Sequence, residues 1–397
     1  PEERDKRTMG TSTFDPNLMF RKSDAQFKLA PRVNFSFKID SFALLFAHYD
    51  VLNQRPDQDA TIVTALNYYN LLERKSVQSI NNANLGFSTT SDLEIGFKQR
   101  LSTRSSLTVN FQYREFMNQV SIARINGAYP GSYNTFGNND FSTQKAIGLA
   151  YELRRTNNLR LKANYTMQFA DGTSSSRSTQ QNIINSGQGN LKVIFPLDFD
   201  TRHNFNLNAN YRFEDGVNYI GPAKMKKLLQ NFGVNFDLNL RSGTPYSLQS
   251  NATPESFLNS TARATNLGDV NAANMPWRFN INLKLDKDFV FRFGKKSKDS
   301  LGLDERKTYS FNVYLQITNL LNTFNTIKVY RFTGDARSDG YLSSNDGVLL
   351  YNQDEAIKQG YGQAFRDLYN VSLEIPDSRT SMFAKPRIMK LGATLSF

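Results

Sequence analysis

Hydrophobic and polar positions alternate one by one along most of this chain. In HNFNLNANYRF (His203–Phe213), Phe205, Leu207, Ala209, Tyr211 and Phe213 share one parity, and Asn204, Asn206, Asn208, Asn210 and Arg212 share the other. Successive side chains of a strand point to opposite faces, so the segment predicts a strand with one apolar and one polar face. A helix would space its apolar residues by three and four. The period recurs in VNFSFKI from Val33, DLEIGFKQRL from Asp92, SLTVNFQYR from Ser106, AIGLAYELR from Ala146 and LRLKANYTMQF from Leu159. It returns in FGVNFDLNLR from Phe232, WRFNINLKLD from Trp277, YSFNVYLQIT from Tyr309 and KLGATLSF from Lys390, while FALLFAHY from Phe42 is apolar on both parities.

The links between these strands sort by length. Short ones follow Ile39, Leu101 and Arg155, with somewhat longer ones from Glu214 and Phe293. Between them lie long polar stretches, near Asp50–Ser91, Asn118–Thr143, Asp171–Arg202, Ser242–Met275 and Asn322–Lys385. A soluble sandwich needs turns every 8–12 residues and gives no reason for alternating short and long links. An up-and-down barrel standing in an outer membrane does, with short periplasmic turns and long external loops.

The expected fold is therefore an all-β, antiparallel transmembrane β-barrel with long extracellular loops. Apolar rows face lipid and Asn-rich rows face the interior, because only helices and closed barrels satisfy every backbone group in a bilayer. Lipid-facing or girdle positions are Phe205, Leu207, Tyr211, Trp277, Phe279 and Leu283. Lumen-facing positions are Arg114, Lys162, Asn206, Asn208, Arg212, Asn235, Asn239, Asn280, Asn282 and Lys284. The location this implies is the outer membrane of a Gram-negative bacterium, with lipid as the first partner.

Composition fits that picture. The chain has 397 residues, 39% hydrophobic content and 13% aromatic residues, without the roughly 18-residue apolar run of a membrane helix. Barrel strands average out on any hydropathy scale, so the mean hydropathy of −0.52 does not argue for a soluble protein. The net charge of +12 raises nucleic acid as a partner, but the cations are scattered singly through the strands instead of forming a patch, so none is expected. Cys is absent, which excludes disulfides and thiolate metal sites.

Several segments resemble the barrel of TonB-dependent outer-membrane receptors. DTRHNFNLNANYRF (Asp200–Phe213) resembles a recurrent strand start of that family, LRSGTPYS (Leu240–Ser247) its strand exit into an outer loop, and LQITNLLNTFN (Leu315–Asn325) a late-strand Asn motif. The terminal strand, with Leu391, Ala393, Leu395 and Phe397, resembles the signal read by the outer-membrane assembly machinery. LAPRVNFSFKID, LEIGFKQRLS and NYTMQFADGTSS resemble the Oar-like group, receptors that carry a carboxypeptidase-like regulatory domain. The resemblance implies uptake of a bulky nutrient, driven by inner-membrane proton-motive force. It also implies a TonB complex and a plug domain as partners, and a 22-strand wall. Only about ten to twelve strands of bilayer-spanning length can be placed here. Residues 1–30 are thus expected to be an incoming segment or loop, and 31–397 the carboxy-terminal portion of the barrel, with closing strands and plug upstream of Pro1. A structural, secretion-linked or adhesion-linked barrel is the alternative.

Candidate chemistry adds little. His48 and His203 are the only histidines and stand in no metal or triad spacing, so no enzyme activity is expected. Asp335 and Asp339 offer oxygen ligands for a loop calcium ion, but the twelve-residue pattern and its closing Glu are missing; turn chemistry with Asp and Gly explains most of the segment, and no cofactor is expected. On the polar parity, Lys98, Arg100, Arg114, Arg154, Arg160, Lys162, Arg212, Arg241, Arg278, Lys284 and Lys390 outnumber Glu94, Glu152, Asp237 and Asp286. Such charges either pair with a plug and solvate the wall or favour anionic cargo. In the last long loop, Ile357, Tyr361, Phe365 and Leu368 fall at helical spacing. That helix packs on its own loop or docks a surface lipoprotein.

Overall fold

The computed structural model describes residues 23–62, 79–127, 132–184, 189–190, 192–253, 265–294, 307–345, 347–348, 362–374 and 382–396. The long alternating segments all become strands. β1 (Arg32–Lys38), β2 (Ala43–Gln54), β3 (Ser88–Arg100), β4 (Ser105–Ile125), β5 (Tyr133–Thr156) and β6 (Leu159–Gly172) follow one another. The short β7 (Phe195–Pro196) precedes β8 (His203–Arg212) and β9 (Phe232–Arg241). The two-residue strands β10 (Pro245–Tyr246) and β11 (Ala273–Asn274) lie in a loop before β12 (Arg278–Phe293), β13 (Lys307–Thr318) and β14 (Ile388–Ser396).

The fold is all-β and antiparallel. One sheet runs β1-β2-β3-β4-β5-β6-β8-β9-β12-β13-β14, with β7 added against β6 and β10–β11 forming a separate ribbon. Among the described residues the sheet is not closed: β1 and β14 are its two edges. No described helix is long and apolar enough to cross a membrane.

Register turns the alternation of single strands into two continuous faces. One apolar row reads Phe37, Leu45, Phe97, Val109, Leu149, Tyr165, Phe205, Leu240 and Phe279 across successive strands. Another reads Leu153, Leu161, Ala209, Phe236, Leu283, Ile317 and Met389. Much of this face has no layer over it: Phe37 is 54% exposed, and in neighbouring rows Phe111 is 58% and Leu391 79% exposed, while Ile317 is buried. So much exposed apolar surface has no counterpart on a soluble monomer.

Short turns are built from side chains that satisfy the reversing backbone. Asp40 Oδ1 accepts from the Ala43 amide at 2.8 Å, and Ser102 Oγ accepts from Arg104 and Ser105 amides at 3.1 and 3.0 Å. Asn157 makes the two-residue β5–β6 turn at φ 54.

Two expectations are corrected. The stretch Asn118–Thr143 is a long hairpin rather than a long loop, with β4 and β5 paired out to Ile125 and Tyr133. The pairing slips around Phe116–Val120, where Asn118 takes φ 56, and this bulge breaks the period that signalled a strand. The last-loop helix covers Gly362–Glu374, but its buried face carries Tyr369 and Leu373, while Leu368 is 55% exposed. Ile357 and Tyr361 lie outside the described residues.

Candidate functional site

The expected lumen positions share the sheet's polar face. Asn164, Asn206, Asn239 and Asn280 stand side by side on β6, β8, β9 and β12, an amide ladder through the middle of the sheet. The next row holds Glu152, Lys162, Asn208, Asp237 and Asn282, followed by Arg160, Asn210, Asn235, Lys284, Gln316 and Lys390. Asn239 donates to Asn206, Asn208 donates to Asp237, and Asn235 donates to Asp237 at 3.0 Å. The amides hold one another where a single Asn would have to be solvated.

Charge on this face is better matched than parity alone shows. Asp92 and Asp288 also lie here. Arg114 bonds Asp92 at 2.7 Å, Lys162 bonds Glu152 at 3.1 Å, and Arg212 bridges Asp286 and Asp288. His48 Nδ1 lies 3.5 Å from Glu94. Lys284 lies over the Tyr314 ring, 4.9 Å from its centroid, and Tyr314 in turn covers Gly392. Phe46 covers Gly96 in the same way, which explains why β2 carries apolar residues on both parities.

The expected lipid-side residues share the opposite face. Phe205, Leu207 and Tyr211 oppose Leu240, Leu238 and Val234, while Phe279 and Leu283 oppose Leu240 and Phe236. Trp277 precedes β12 and stacks on His203 at 5.6 Å, and His203 stacks on Tyr165 at 6.2 Å. Tyr165 Oη lies 2.9 Å from His203 Nδ1. His203 is thus half of an aromatic girdle contact. On β14, Leu391, Ala393 and Leu395 pair with Leu315, Val313 and Phe311, and Phe397 lies outside the described residues.

The sequence motifs turn out to be locks at the strand ends that carry the long links. Asp200 is buried and accepts from the Ala170 amide at 3.2 Å and from Arg202 at 3.0 Å, and the Arg202 guanidinium lies 4.2 Å over the Phe169 ring. Ser242 Oγ accepts from the His203 amide at 3.0 Å, and Gly243 passes so close to the Met275 carbonyl that a Cβ would sit 1.6 Å from its oxygen. Asn319, at φ 53, accepts from Thr323 N at 3.0 Å and donates to Thr323 O at 3.0 Å. Asn325 clamps Phe279 from both sides, accepting from its amide at 2.7 Å and donating to its carbonyl at 2.9 Å.

Above these locks the long links are folded. Asn271 donates to Pro196 O at 2.8 Å and to Asp198, and Arg331 Nε donates to Ser247 O at 2.8 Å. Burial lowers the Arg331 pKa and Asp198 partly offsets it. Asp339 is buried with both oxygens engaged, one by the Tyr341 amide at 2.9 Å and one by the Tyr369 hydroxyl; Asp335 accepts from the Arg337 amide at 3.1 Å. No cluster of three or more potential metal-binding side chains occurs among the described residues.

One cavity joins the polar face to these loops and was invisible to periodicity. About 310 Å³ in volume, it lies at the long-link ends of β2–β5 and is lined by Thr90, Gln119, Asp140, Ser174 and Arg177, among others. Its walls are half apolar and half polar surface, and the hydroxyl, amide and charged groups among them can hydrogen-bond a ligand.

No family model matches the chain, and no curated protein matches it. Among solved structures it is similar to the ferripyoverdine receptor of the Pseudomonas aeruginosa outer membrane bound to ferripyoverdine, at 10% identity and TM-score 0.44, over 77% of this chain and 30% of that one. It is similar to the outer membrane transporter YddB of Escherichia coli, at 11% identity and TM-score 0.46, over 75% and 37% of the two chains. For the FrpB iron transporter of Neisseria meningitidis the figures are 10%, 0.43, 75% and 35%. The matched part is about a third of each of these structures.

Proposed function

We propose that this chain is part of the wall of an outer-membrane receptor that takes up a bulky nutrient. The observation that carries the reading is the pair of continuous faces: an uncovered apolar face across eleven strands, backed by an amide and charge ladder. Lipid satisfies the first face and a wet or plug-filled interior the second. The sequence motifs resembling TonB-dependent receptors add active transport, with a plug and the TonB complex as partners and proton-motive force as the energy source. Cargo enters from the loop side, past the polar cavity at the ends of β2–β5. A surface lipoprotein is a further partner of the loop carrying the helix Gly362–Glu374.

The experiment uses the full-length protein in its native membrane. Its gene is deleted, and candidate nutrients are scored for binding to whole cells and for accumulation inside. Binding that persists under an uncoupler while accumulation stops supports energised uptake. Accumulation insensitive to the uncoupler, or surface attachment as the only phenotype, replaces it with the adhesion or secretion alternative.

A further inference from the structure

The link between β8 and β9, residues 213–231, lies at the short-link end and carries structure that a plain turn does not need. Phe213 continues the apolar parity of β8 and packs on Tyr219, ring centroids 5.9 Å apart. Lys287 shares the apolar parity of β12 with Leu283 and Leu285, and its Nζ donates to the Leu228 carbonyl at 2.9 Å and to Gln230 O. The link is thus tied at both ends to the apolar side of the sheet. Its middle forms two short helical turns, Ala223–Met225 and Lys226–Leu229. Residues three apart share a side of such turns, which sets Met225 with Leu228 and Lys224 with Lys227. Ile220, Met225 and Leu228 are 50%, 46% and 66% exposed, and Lys224, Lys226 and Lys227 are exposed beside them. Apolar and basic side chains interleaved in this way make up a segment that lies in a membrane interface.

A cavity of about 470 Å³ separates this link from β12 and is lined by Asp215, Lys227, Lys287, Asp288, Phe289 and Phe291, among others. β12 outruns β9 here: their pairing ends at Phe232 and Lys287, and Phe289 and Phe291 carry the apolar parity onward, 43% and 49% exposed. The charges around the cavity do not cancel. Asp288 is occupied on both oxygens, by Arg212 at 2.8 Å and by Asn312 at 2.6 Å. Glu214 pairs with Arg155 at 3.2 Å. Asp215 makes no ion pair among the described residues and is the single carboxylate left to face Lys224, Lys226, Lys227 and Lys287. Lys226 donates to Gly216 O at 3.0 Å and lies 5.7 Å from the Tyr219 ring centroid, whereas Lys224 and Lys227 make no hydrogen bond or ion pair among the described residues. Lys287 spends two of its three hydrogens on carbonyls, which leaves one for a ligand.

We infer that this cavity and its lysine rim bind an anionic phospholipid of the periplasmic leaflet. The phosphate lies between Lys227 and Lys287, an acyl chain runs along Phe289 and Phe291, and Met225 and Leu228 dip into the leaflet. The leaflet on the short-link side of an outer membrane is the one built of phospholipid, and an excess of cations selects its anionic members. An acidic periplasmic protein would answer the lysines, but it would not explain why the link is held on the side of the sheet that meets lipid. The site rests on the membrane-wall reading, because only then does that side meet lipid.

The test uses the full-length protein in phosphatidylcholine vesicles, with a polarity-sensitive dye on Leu228→Cys. Brominated phosphatidylglycerol quenches this dye more strongly than brominated phosphatidylethanolamine at the same fraction. The double variant Lys224→Gln/Lys227→Gln weakens that preference about fivefold for each lysine removed, the worth of one cation at a membrane surface. Lys385→Gln, at the long-link end, leaves it unchanged. Heat-modifiable migration verifies that each variant is folded. Equal quenching by the two lipids, or an unchanged preference in the folded double variant, overturns the site. A dye at 228 that neither lipid quenches, beside a quenched dye on Phe111→Cys in the apolar face, also overturns it and points to a water-borne acidic partner; the wall reading then stands. Absence of quenching at both 228 and 111 overturns the wall reading itself.

Discussion

Leu283 and Asn282 are chain neighbours on opposite faces, and this makes the facial assignment testable one side chain at a time. Leu283 stands between Phe236 and Ile317, Asn282 opposite Asp237. An Arg at Leu283 is expected to destabilise the folded wall by about 2–4 kcal/mol near the bilayer midplane, and an Arg at Asn282 by far less. Refolding equilibria in lipid vesicles measure the difference; equal losses would remove the assignment. Parity made these faces legible, because successive side chains of an unbulged strand point to opposite faces. The individual work of the asparagines was not legible. Asn118, Asn157, Asn231, Asn271, Asn319 and Asn322 are the non-glycine residues with positive φ among those described, a role with no periodicity. Asn319 combines that conformation with its Thr323 bonds, so Asn319→Ala is expected to lose more stability than Asn319→Gly, by about 1–2 kcal/mol. Chemical denaturation of the two variants separates backbone from side chain: Gly keeps the conformation and loses only the hydrogen bonds.

Strand ends are where the elements are locked and where sequence reasoning was weakest. The hairpin β4–β5 was concealed because the slip near Asn118 breaks its alternation, and because Asn134, Asn138 and Asn139 look like loop residues. Asn138 serves the hairpin through its side chain, which accepts from the Gly86 amide and donates to the Gly86 carbonyl at 3.0 Å. Protease added to intact cells is accordingly expected to spare 118–125 and 133–143 and to cut within 55–87, 242–277 and 319–387. Cutting at 101–104 or 157–158 instead would invert the topology. The motif LRSGTPYS shows the opposite case, legible as a resemblance and unexplained until Gly243 was seen against Met275 O. Gly243→Ala forces the β9 exit away from the start of β12. Its expected signature is faster proteolysis in 242–277 at unchanged strand content by circular dichroism, and an unaltered cleavage pattern would show that the contact relaxes freely.

At the scale of the whole molecule, the decisive quantities are open edges and incompletely matched charge. β1 and β14 each present an edge without a partner among the described residues, and every unpaired backbone group in hydrocarbon costs several kcal/mol. Curling these eleven strands into a small cylinder would join the edges but fill the bore with side chains. Arg114 and Lys162 have found carboxylates on neighbouring strands and Arg212 has found them on β12, across β9, so part of the charge tolerates a narrow bore. Lys98, Arg160, Arg241, Arg278 and Lys390 make no ion pair among the described residues and would be forced together, at a cost of several kcal/mol for each ion left unpaired. A wider cylinder hydrates them, or sets them against an acidic plug surface, and for that it needs more strands between β14 and β1. Residues 1–397 expressed alone and folded in detergent are therefore expected to give no compact, heat-modifiable monomer on a gel. Closing the sheet with added strands is expected to restore one. A protease-resistant monomer from residues 1–397 alone would mean that the two edges meet and that the small bore accommodates its cations.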